Sequence, residues 1–371
     1  MINPSDPNSA AGSGPRKFNK CVLHIGPGKT GTSAIQNALW KNSKALRKHG
    51  ILYPEISKNH YFLVSCFHQQ PAMIHEHKKL GLTEAQADEK NREYMSYLDS
   101  LTGLDEGDMI IFSSEYFWSC SPASIERLKQ YLDTIATSTS VVLYARNPFL
   151  RIVSGIQQSA KVGLDRLSNL VDAKYVSEYC TKVPVWSSIF GKQSVLVREY
   201  PESDATQFDI VRDFLSAIDV DRELLEEGGK AIVNESLSAE AIHLLDASHD
   251  FAPVFSPQRQ RLIRELKKIE GASFKRSLPV TQEAMEALQQ DFDYLEEAWG
   301  LRFDASFPST AQALFGQKAL ASLAELISEA VEERLALIAE RDAAIAERDA
   351  AIAERDAAID EAVTSFGRSS R

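Results

Sequence analysis

CVLHIGPGKTGTS (residues 21–33) joins a short apolar run to a cluster of glycines, hydroxyl residues and one lysine. Residues 21–25 form the apolar run, which is typical of a buried parallel strand. Residues 33–50 then repeat apolar side chains at helical spacing and end at Gly50, a common helix C-cap. The apolar residues 51–54 follow at once. Strand, glycine turn, helix and strand in this order predict a βαβ unit in an α/β fold.

Three further apolar runs predict the other strands of a central parallel sheet. They are MIIF at residues 109–112, VVLY at residues 141–144 and SVLVREY at residues 194–200. Residues 60–105 are predicted to be mostly helical. Another helix is predicted to follow VVLYAR, with Asn147 as its N-cap and Pro148 at its first helical position.

The charge balance of the chain argues against two classes of partner. Its 371 residues carry 41 Lys and Arg against 52 Asp and Glu, a net charge of −11. A surface this acidic is unsuited to nucleic acid or to an anionic membrane, because both require basic side chains to neutralise phosphates. The composition, 44% hydrophobic and 25% charged, also excludes a wholly disordered chain. An anionic ligand therefore needs a local cluster of donors.

The cysteines and the N-terminal residues predict a cytoplasmic protein. Cys21, Cys66, Cys120 and Cys180 are widely spaced and form no CxxC pair, which argues against a disulfide framework and against a metal site. The first 20 residues lack the apolar core of a secretory signal. No apolar run approaches the length of about 18 residues that a membrane span requires, so no membrane-spanning helix is expected.

The glycine cluster has the composition of a phosphate-binding loop. Glycine lets the backbone approach an anion closely, and the N–H groups at the start of the following helix point at it. A mobile lysine ammonium and neighbouring hydroxyls add further donors. The predicted cradle consists of Gly28, Lys29, Thr30, Gly31, Thr32 and Ser33.

The loop departs from the pattern of nucleotide-dependent kinases. If GKT ended a G-x-x-x-x-G-K-[ST] motif, its opening glycine would fall at position 23, which is Leu23. The later strands MIIF and VVLY run into Ser113 and Ala145 rather than into an aspartate that would hold Mg²⁺. A P-loop kinase is therefore an alternative hypothesis and not the leading one.

A second motif, ARNPFLRIVS, offers a site for another anionic group. Arg146 follows the strand run VVLYA, at the edge where open α/β sheets bind ligands. Its planar guanidinium suits bidentate contact with a phosphate. Ser154 lies eight residues later, one to two turns into the predicted helix, so strand and helix can close on one anion.

The two motifs together resemble those of sulfotransferases that use 3′-phosphoadenosine 5′-phosphosulfate (PAPS). In that family a loop of the form G-x-x-K-[ST]-G-[TS]-[ST] between a strand and a helix holds the 5′-phosphosulfate. A second strand, followed by Arg-[Asn/Asp]-Pro and a serine eight residues after the arginine, grips the 3′-phosphate. Both motifs occur here in the same order, about 115 residues apart, and the resemblance covers roughly residues 20–240.

This resemblance implies a P-loop-like three-layer fold with PAPS as the donor and no metal. The implied acceptor is a hydroxyl, such as that of a carbohydrate or glycan. Lys29 would neutralise the bridging oxygen of the donor, and a base would take the proton of the acceptor hydroxyl.

Three side chains are candidates for that base. Glu115 follows MIIF at the position where cytosolic members of the family carry a catalytic histidine. Glu55 lies where glycan-modifying relatives place a glutamate, and His60 is a candidate because an unperturbed histidine titrates near neutral pH. We rank Glu115 first, His60 second and Glu55 third.

Composition divides the chain into three predicted parts. Residues 1–18 form a predicted flexible arm, residues 19–310 the sulfotransferase-like domain and residues 311–371 a helical tail. AERDAAI occurs three times in tandem in the tail, so isoleucines recur every seven residues at Ile338, Ile345, Ile352 and Ile359. This spacing is typical of a coiled coil, although the partner positions are Arg and Asp.

The sequence favours neither of two hypotheses for the tail: a coiled coil that joins copies of the chain, and a solvated single helix.

For the function of the whole chain, the alternative to an enzyme is a non-catalytic scaffold with a vestigial anion loop.

Overall fold

A computed structural model describes most of the chain: residues 18–101, 108–172, 178–201, 208–225, 237–250, 252, 254, 256–274, 282–306 and 317–369. The predicted N-terminal arm lies outside the described residues except for Phe18. The predicted boundary at residues 310 and 311 also lies outside them and stays a prediction. Contacts divide the chain into two compact units, residues 1–160, 164–235 and 278–311 in the first and 161–163, 236–277 and 312–371 in the second.

The first unit is built on a parallel sheet of five strands among its described residues. The strands are β1 (Phe18–His24), β2 (Ile51–Leu52), β3 (Met109–Ser113), β4 (Ala136–Ala145) and β5 (Val195–Glu199). Their order is β2-β3-β1-β4-β5, and every neighbouring pair is parallel. The predicted α/β class with a central parallel sheet is therefore confirmed.

Helices connect the strands and form the second unit. In chain order they are α1 (Thr32–Lys41), α2 (Ser43–Lys48), α3 (Tyr61–Phe67), α4 (His75–Lys79), α5 (Glu84–Leu101), α6 (Pro122–Ile135), α7 (Pro148–Val162), α8 (Leu167–Asp172), α9 (Tyr179–Phe190), α10 (Ile210–Ala217), α11 (Ala239–Ala247), α12 (Pro257–Leu266), α13 (Gln282–Trp299) and α14 (Gln317–Ser369). No helix among the described residues is both long enough and apolar enough to cross a membrane.

The helix predicted over residues 33–50 is two helices. α1 ends at Lys41 and α2 begins at Ser43, with Asn42 between them. The Asn42 side-chain Nδ2 donates to the Ala38 carbonyl at 2.9 Å. A short polar side chain that bonds the backbone of the preceding turn competes with regular helix geometry, and this explains the break.

Alternate residues of the central strands face two separate cores. On β1, Leu23 packs into a cluster with α3, α5, α6 and α9, whereas the adjacent Val22 packs into a cluster with α1, α2 and α10. Both side chains are fully buried. The sheet is therefore covered on both faces, which gives the three layers expected from the sequence.

The order of the strands locates a binding crevice. β1 lies between β3, which continues toward β2, and β4, which continues toward β5. The chain therefore leaves β1 at the point where strand order reverses. In open α/β sheets, ligands bind outside the carboxyl ends of the strands at such a switch point.

The second unit is helical in its described residues. Arg259 of α12 is buried, and its Nε donates to the Lys161 carbonyl at 2.9 Å while its Nη1 donates to the Ala252 carbonyl at 2.9 Å. Ion pairs join α12 and the residues after it to α14, at 2.7 Å between Arg261 and Glu333 and at 2.7 Å between Lys268 and Glu329.

Candidate active site

The glycine loop between β1 and α1 packs tightly against the turn that follows β3. Gly26 has φ +84°, and a Cβ on it would lie 3.1 Å from the Glu115 Cα. The Thr30 and Thr32 hydroxyls both donate to the Pro27 carbonyl, at 2.6 Å and 3.3 Å. These two hydroxyls therefore hold the loop in shape, and their predicted contact with an anion stays a prediction.

The N-terminus of α1 opens onto this loop without a competing acid. Gly31 is the N-cap, no side chain caps the helix, and its first turn holds no acidic residue. Ser33 in that turn is exposed. The N–H groups and the positive end of the helix dipole therefore favour an anion at this position.

Lys29 joins the loop to α7. Its backbone has φ +73°, and its Nζ donates to the Gln158 Oε1 at 3.0 Å. Desolvation and the nearby Arg146 guanidinium lower the pKa of the Lys29 ammonium, whereas the Glu115 carboxylate acts in the opposite direction. Lys29 thus lies close to one cation and one carboxylate.

Arg146 connects the two sequence motifs directly. Its Nη1 donates to the Ser154 hydroxyl at 3.0 Å and to the Lys29 carbonyl at 3.3 Å. Its guanidinium lies 5.8 Å from the centre of the Tyr200 ring. The structure therefore brings together Lys29, Arg146 and Ser154, which are distant in sequence.

The start of α7 agrees with the sequence prediction. Pro148 is its first residue, and the Asn147 Oδ1 accepts from the Leu150 N–H at 3.2 Å, as an N-cap side chain does. Gln158 lies one turn beyond Ser154 on the same helix. Its contact with Lys29 was not predicted, although a spacing of four residues places Ser154 and Gln158 on one helix face.

Tyr200 is another site residue that the sequence analysis missed. Its N–H donates to the Ala145 carbonyl at 2.7 Å, which fixes it beside Arg146 at the end of β5. Two residues before it, Arg198 pairs with both carboxylate oxygens of Asp213 at 2.6 Å, and Tyr144 donates to Asp213 at 2.6 Å. This network ties β4, β5 and α10 together.

Glu115 lies in the turn after β3, as predicted, and is half-buried. The buried Gln36 of α1 donates from Nε2 to the Glu115 Oε2 at 3.0 Å. The role of Glu115 as the base stays a prediction. Gln36 was not predicted to take part in the site.

His60 is placed differently from what a base requires. It is fully buried, the Ser113 N–H donates to its Nδ1 at 3.0 Å, and its Nε2 contacts the Pro54 carbonyl at 2.9 Å. Because a backbone N–H can only donate, Nδ1 is the acceptor and Nε2 carries the proton. Burial lowers the pKa of His60 to about 3, so the ring is neutral near pH 7. Both nitrogens are therefore hydrogen-bonded to the backbone, Nδ1 to the end of β3 and Nε2 to the segment after β2.

Glu55 is the most exposed of the three candidates. Ser43 at the start of α2 donates to its Oε1, and its own N–H donates to the Tyr97 hydroxyl at 3.1 Å. Its partners belong to α2 and α5 rather than to the loop after β1. The roles of Glu55 and His60 as base stay predictions that this placement disfavours.

The described residues offer no metal centre: among them, no three His, Cys, Asp or Glu side chains are arranged to hold an ion. All four cysteines carry free thiols.

Comparison with known proteins gives weak likenesses. No family model matches the chain. A protein of Archaeoglobus fulgidus, described as an uncharacterized protein, is 28% identical over 129 residues, which are 35% of this chain and 35% of that protein. The match thus spans about a third of the length of that relative.

Three solved structures resemble parts of the chain. A sulfotransferase from Alicyclobacillus acidocaldarius has a TM-score of 0.36 and 16% identity, covering 67% of this chain and 96% of that one. The sulfotransferase domain of the Synechococcus PCC 7002 olefin synthase has a TM-score of 0.36 and 12% identity, covering 74% of this chain and 95% of that one. A sulfotransferase domain from the curacin biosynthetic pathway has a TM-score of 0.31 and 11% identity, covering 68% of this chain and 98% of that one. Likeness at this level assigns neither activity nor substrate.

Replacing Gly31 tests whether the conformation of the glycine loop affects the stability of the fold. We expect Gly31→Ala to lower the free energy of unfolding by about 1–3 kcal/mol, because φ is +79° and the new Cβ would lie 2.9 Å from Ile210. Gly28→Ala is the matched control, since a Cβ there meets no atom within 4 Å. Urea unfolding of both variants measures the difference, and an equal loss in the two would contradict the predicted strain at Gly31.

Proposed function

We propose that this chain is a sulfotransferase that transfers the sulfuryl group of PAPS to an acceptor hydroxyl. The observation that carries the proposal is the position of Arg146. Its guanidinium contacts the Lys29 carbonyl and the Ser154 hydroxyl, so the two sequence motifs form one cluster at the switch point of the sheet.

The cations and N–H groups of the cluster fit a ligand with two anionic groups. Lys29 and Arg146 lie close enough for the guanidinium to lower the pKa of the ammonium, in a chain whose net charge is −11. Two adjacent cations repel each other, and an anion between them would relieve that repulsion. The uncapped N-terminus of α1 adds N–H donors, and Gly28 leaves open space where a side chain would stand.

Each part of the cluster has a distinct task in this proposal. The loop and the first turn of α1 bind the 5′-phosphate with N–H groups and the Ser33 hydroxyl. Arg146 and Ser154 bind the 3′-phosphate, the guanidinium by a bidentate contact. Bound PAPS supplies the sulfuryl group. Lys29 exchanges Gln158 for the leaving oxygen and neutralises the charge that develops there.

Glu115 is the proposed base. It is near enough to Lys29 to affect the pKa of that ammonium, and Gln36 fixes one carboxylate oxygen. The carboxylate takes the proton of the acceptor hydroxyl as the sulfuryl group is transferred. A carbohydrate or glycan hydroxyl is the proposed acceptor class, and it rests on the resemblance of the motifs alone.

Thermal unfolding with a panel of nucleotides tests the proposal. We expect adenosine 3′,5′-bisphosphate to raise the unfolding midpoint more than 5′-AMP does, because only the bisphosphate engages Arg146 and Ser154. At about 100 times its Kd a ligand stabilises the folded state by about 2.7 kcal/mol.

ATP with Mg²⁺ is the matched comparison. A larger shift with ATP and Mg²⁺ than with the bisphosphate would favour a P-loop kinase. A midpoint that none of the three nucleotides moves would favour a scaffold with a vestigial loop.

A further inference from the structure

The helix α14 carries a regular apolar surface that the proposed chemistry does not use. Ile338, Ile345 and Ile352 are spaced seven residues apart and are 37%, 40% and 41% exposed. We call these three residues the isoleucine stripe. Seven residues are almost two helical turns, so the stripe follows one side of the helix. Isolated apolar residues on a surface are common, but a periodic row of them is typical of a helix interface.

Charged residues flank the isoleucine stripe on both sides with opposite sign. Arg341 and Arg348 lie three residues after an isoleucine, and Asp342 and Asp349 lie four residues after one. At about 100° per residue, each arginine is about 60° to one side of the stripe and each aspartate about 40° to the other. One edge of the stripe is therefore basic and the other acidic.

These charges are exposed and available for contact between chains. Arg341 pairs with Asp342 at 2.7 Å, and Arg348 pairs with Asp349 at 2.7 Å, with the arginine side chains 66% and 67% exposed. An exposed pair of this kind within one chain adds little stability, because water screens it and two long side chains lose freedom. The same side chains gain more if a second helix excludes water from one side.

We propose that the isoleucine stripe is the seam of a parallel, in-register dimer with a second copy of this chain. In a parallel pair the two-fold axis runs along the helices, so the acidic edge of one copy faces the basic edge of the other. In an antiparallel pair the axis runs across the helices, and acidic edge faces acidic edge. One isoleucine per heptad is a narrow apolar seam, so the flanking charges decide the direction of pairing.

Light scattering, and variants of the full chain that each carry one added cysteine, test this dimer. We expect a mass twice the 41.2 kDa of one chain. Ile338→Cys and Ile352→Cys, each tested alone, should form a disulfide-linked dimer on mild oxidation, because each residue of a parallel in-register pair faces its own copy. Glu347→Cys is the matched control, about 200° away from Ile345 around the helix, and should stay uncrosslinked like the unmodified chain.

Two outcomes of that experiment would overturn the proposal. The first is a mass other than that of two chains. The second is a crosslink that forms only when Ile338→Cys and Ile352→Cys are mixed, which is the signature of an antiparallel pair.

Charge reversal tests the pairing direction without touching the apolar seam. Asp342→Arg with Asp349→Arg makes both edges basic, and we expect the dimer Kd to rise about tenfold or more as attractions become repulsions. Adding Arg341→Asp and Arg348→Asp exchanges the two edges and should restore the original Kd. A double variant that keeps the unmodified Kd, or a fourfold variant that fails to recover it, contradicts the parallel arrangement.

Discussion

Glu115→Gln is expected to lower the kcat of sulfuryl transfer by about 10²–10⁴-fold and to leave the affinity for adenosine 3′,5′-bisphosphate nearly unchanged. The amide has the shape of the carboxylate and can still accept the hydrogen bond that Gln36 donates at 3.0 Å. It cannot take a proton from the acceptor hydroxyl. Turnover measured at saturating PAPS, together with calorimetric binding of the bisphosphate, separates loss of the base from loss of the site.

Two controls bear on the choice of base. Glu55→Gln changes an exposed carboxylate after β2, which accepts from Ser43 at the start of α2, and should keep near-full turnover. His60→Asn removes a buried ring that accepts from the Ser113 N–H, so its turnover is compared only after its unfolding midpoint has been measured. If Glu115→Gln kept its turnover while Glu55→Gln or a folded His60→Asn lost it, the assignment of Glu115 would be wrong.

The centre of the sheet could be predicted because β3 and the second half of β4 are buried on both faces. The runs VVLY and MIIF are continuously apolar, and the structure shows why, since Val142 and Leu143 face opposite cores. The N-cap at Asn147 was equally readable, because its side chain acts within its own turn. The break at Asn42 was not predicted, since the surrounding apolar spacing continues through it.

The cluster of Lys29, Arg146 and Ser154 was predictable because parallel strands end at one edge of the sheet. Contacts that depend on the exact approach of two elements were not. Gln36 reaches Glu115 from α1, and Tyr200 reaches Arg146 from the end of β5. The spacing of residues in the sequence does not predict either of these two contacts.

The contacts of His60 were also not predictable from the sequence. The sequence analysis named His60 because an unperturbed histidine titrates near neutral pH. The backbone of β3 occupies one ring nitrogen and the Pro54 carbonyl the other, and burial lowers the pKa of the ring to about 3. This pairing disfavours the predicted role of His60 as the base, and that role stays a prediction.

Arg146→Ala is expected to weaken the binding of adenosine 3′,5′-bisphosphate by about 10–100-fold, while the affinity for 5′-AMP changes little. A charge-assisted contact contributes about 1.5–3 kcal/mol, which corresponds to this range. The effect is confined to the bisphosphate because the 3′-phosphate is the group that the guanidinium and the Ser154 hydroxyl are proposed to hold. Calorimetric titration of each nucleotide into the unmodified chain and the variant measures both affinities.

The pattern across related variants distinguishes a phosphate clamp from a structural arginine. Arg146→Lys keeps the charge but not the planar fork, so its bisphosphate affinity should fall between those of the unmodified chain and Arg146→Ala. Ser154→Ala removes a neutral partner and should cost less than Arg146→Ala. Since Arg146 also donates to the Lys29 carbonyl at 3.3 Å, its loss could loosen the glycine loop instead. In that case the affinities for 5′-AMP and for the bisphosphate would fall together, and the assignment of Arg146 to the 3′-phosphate would fail.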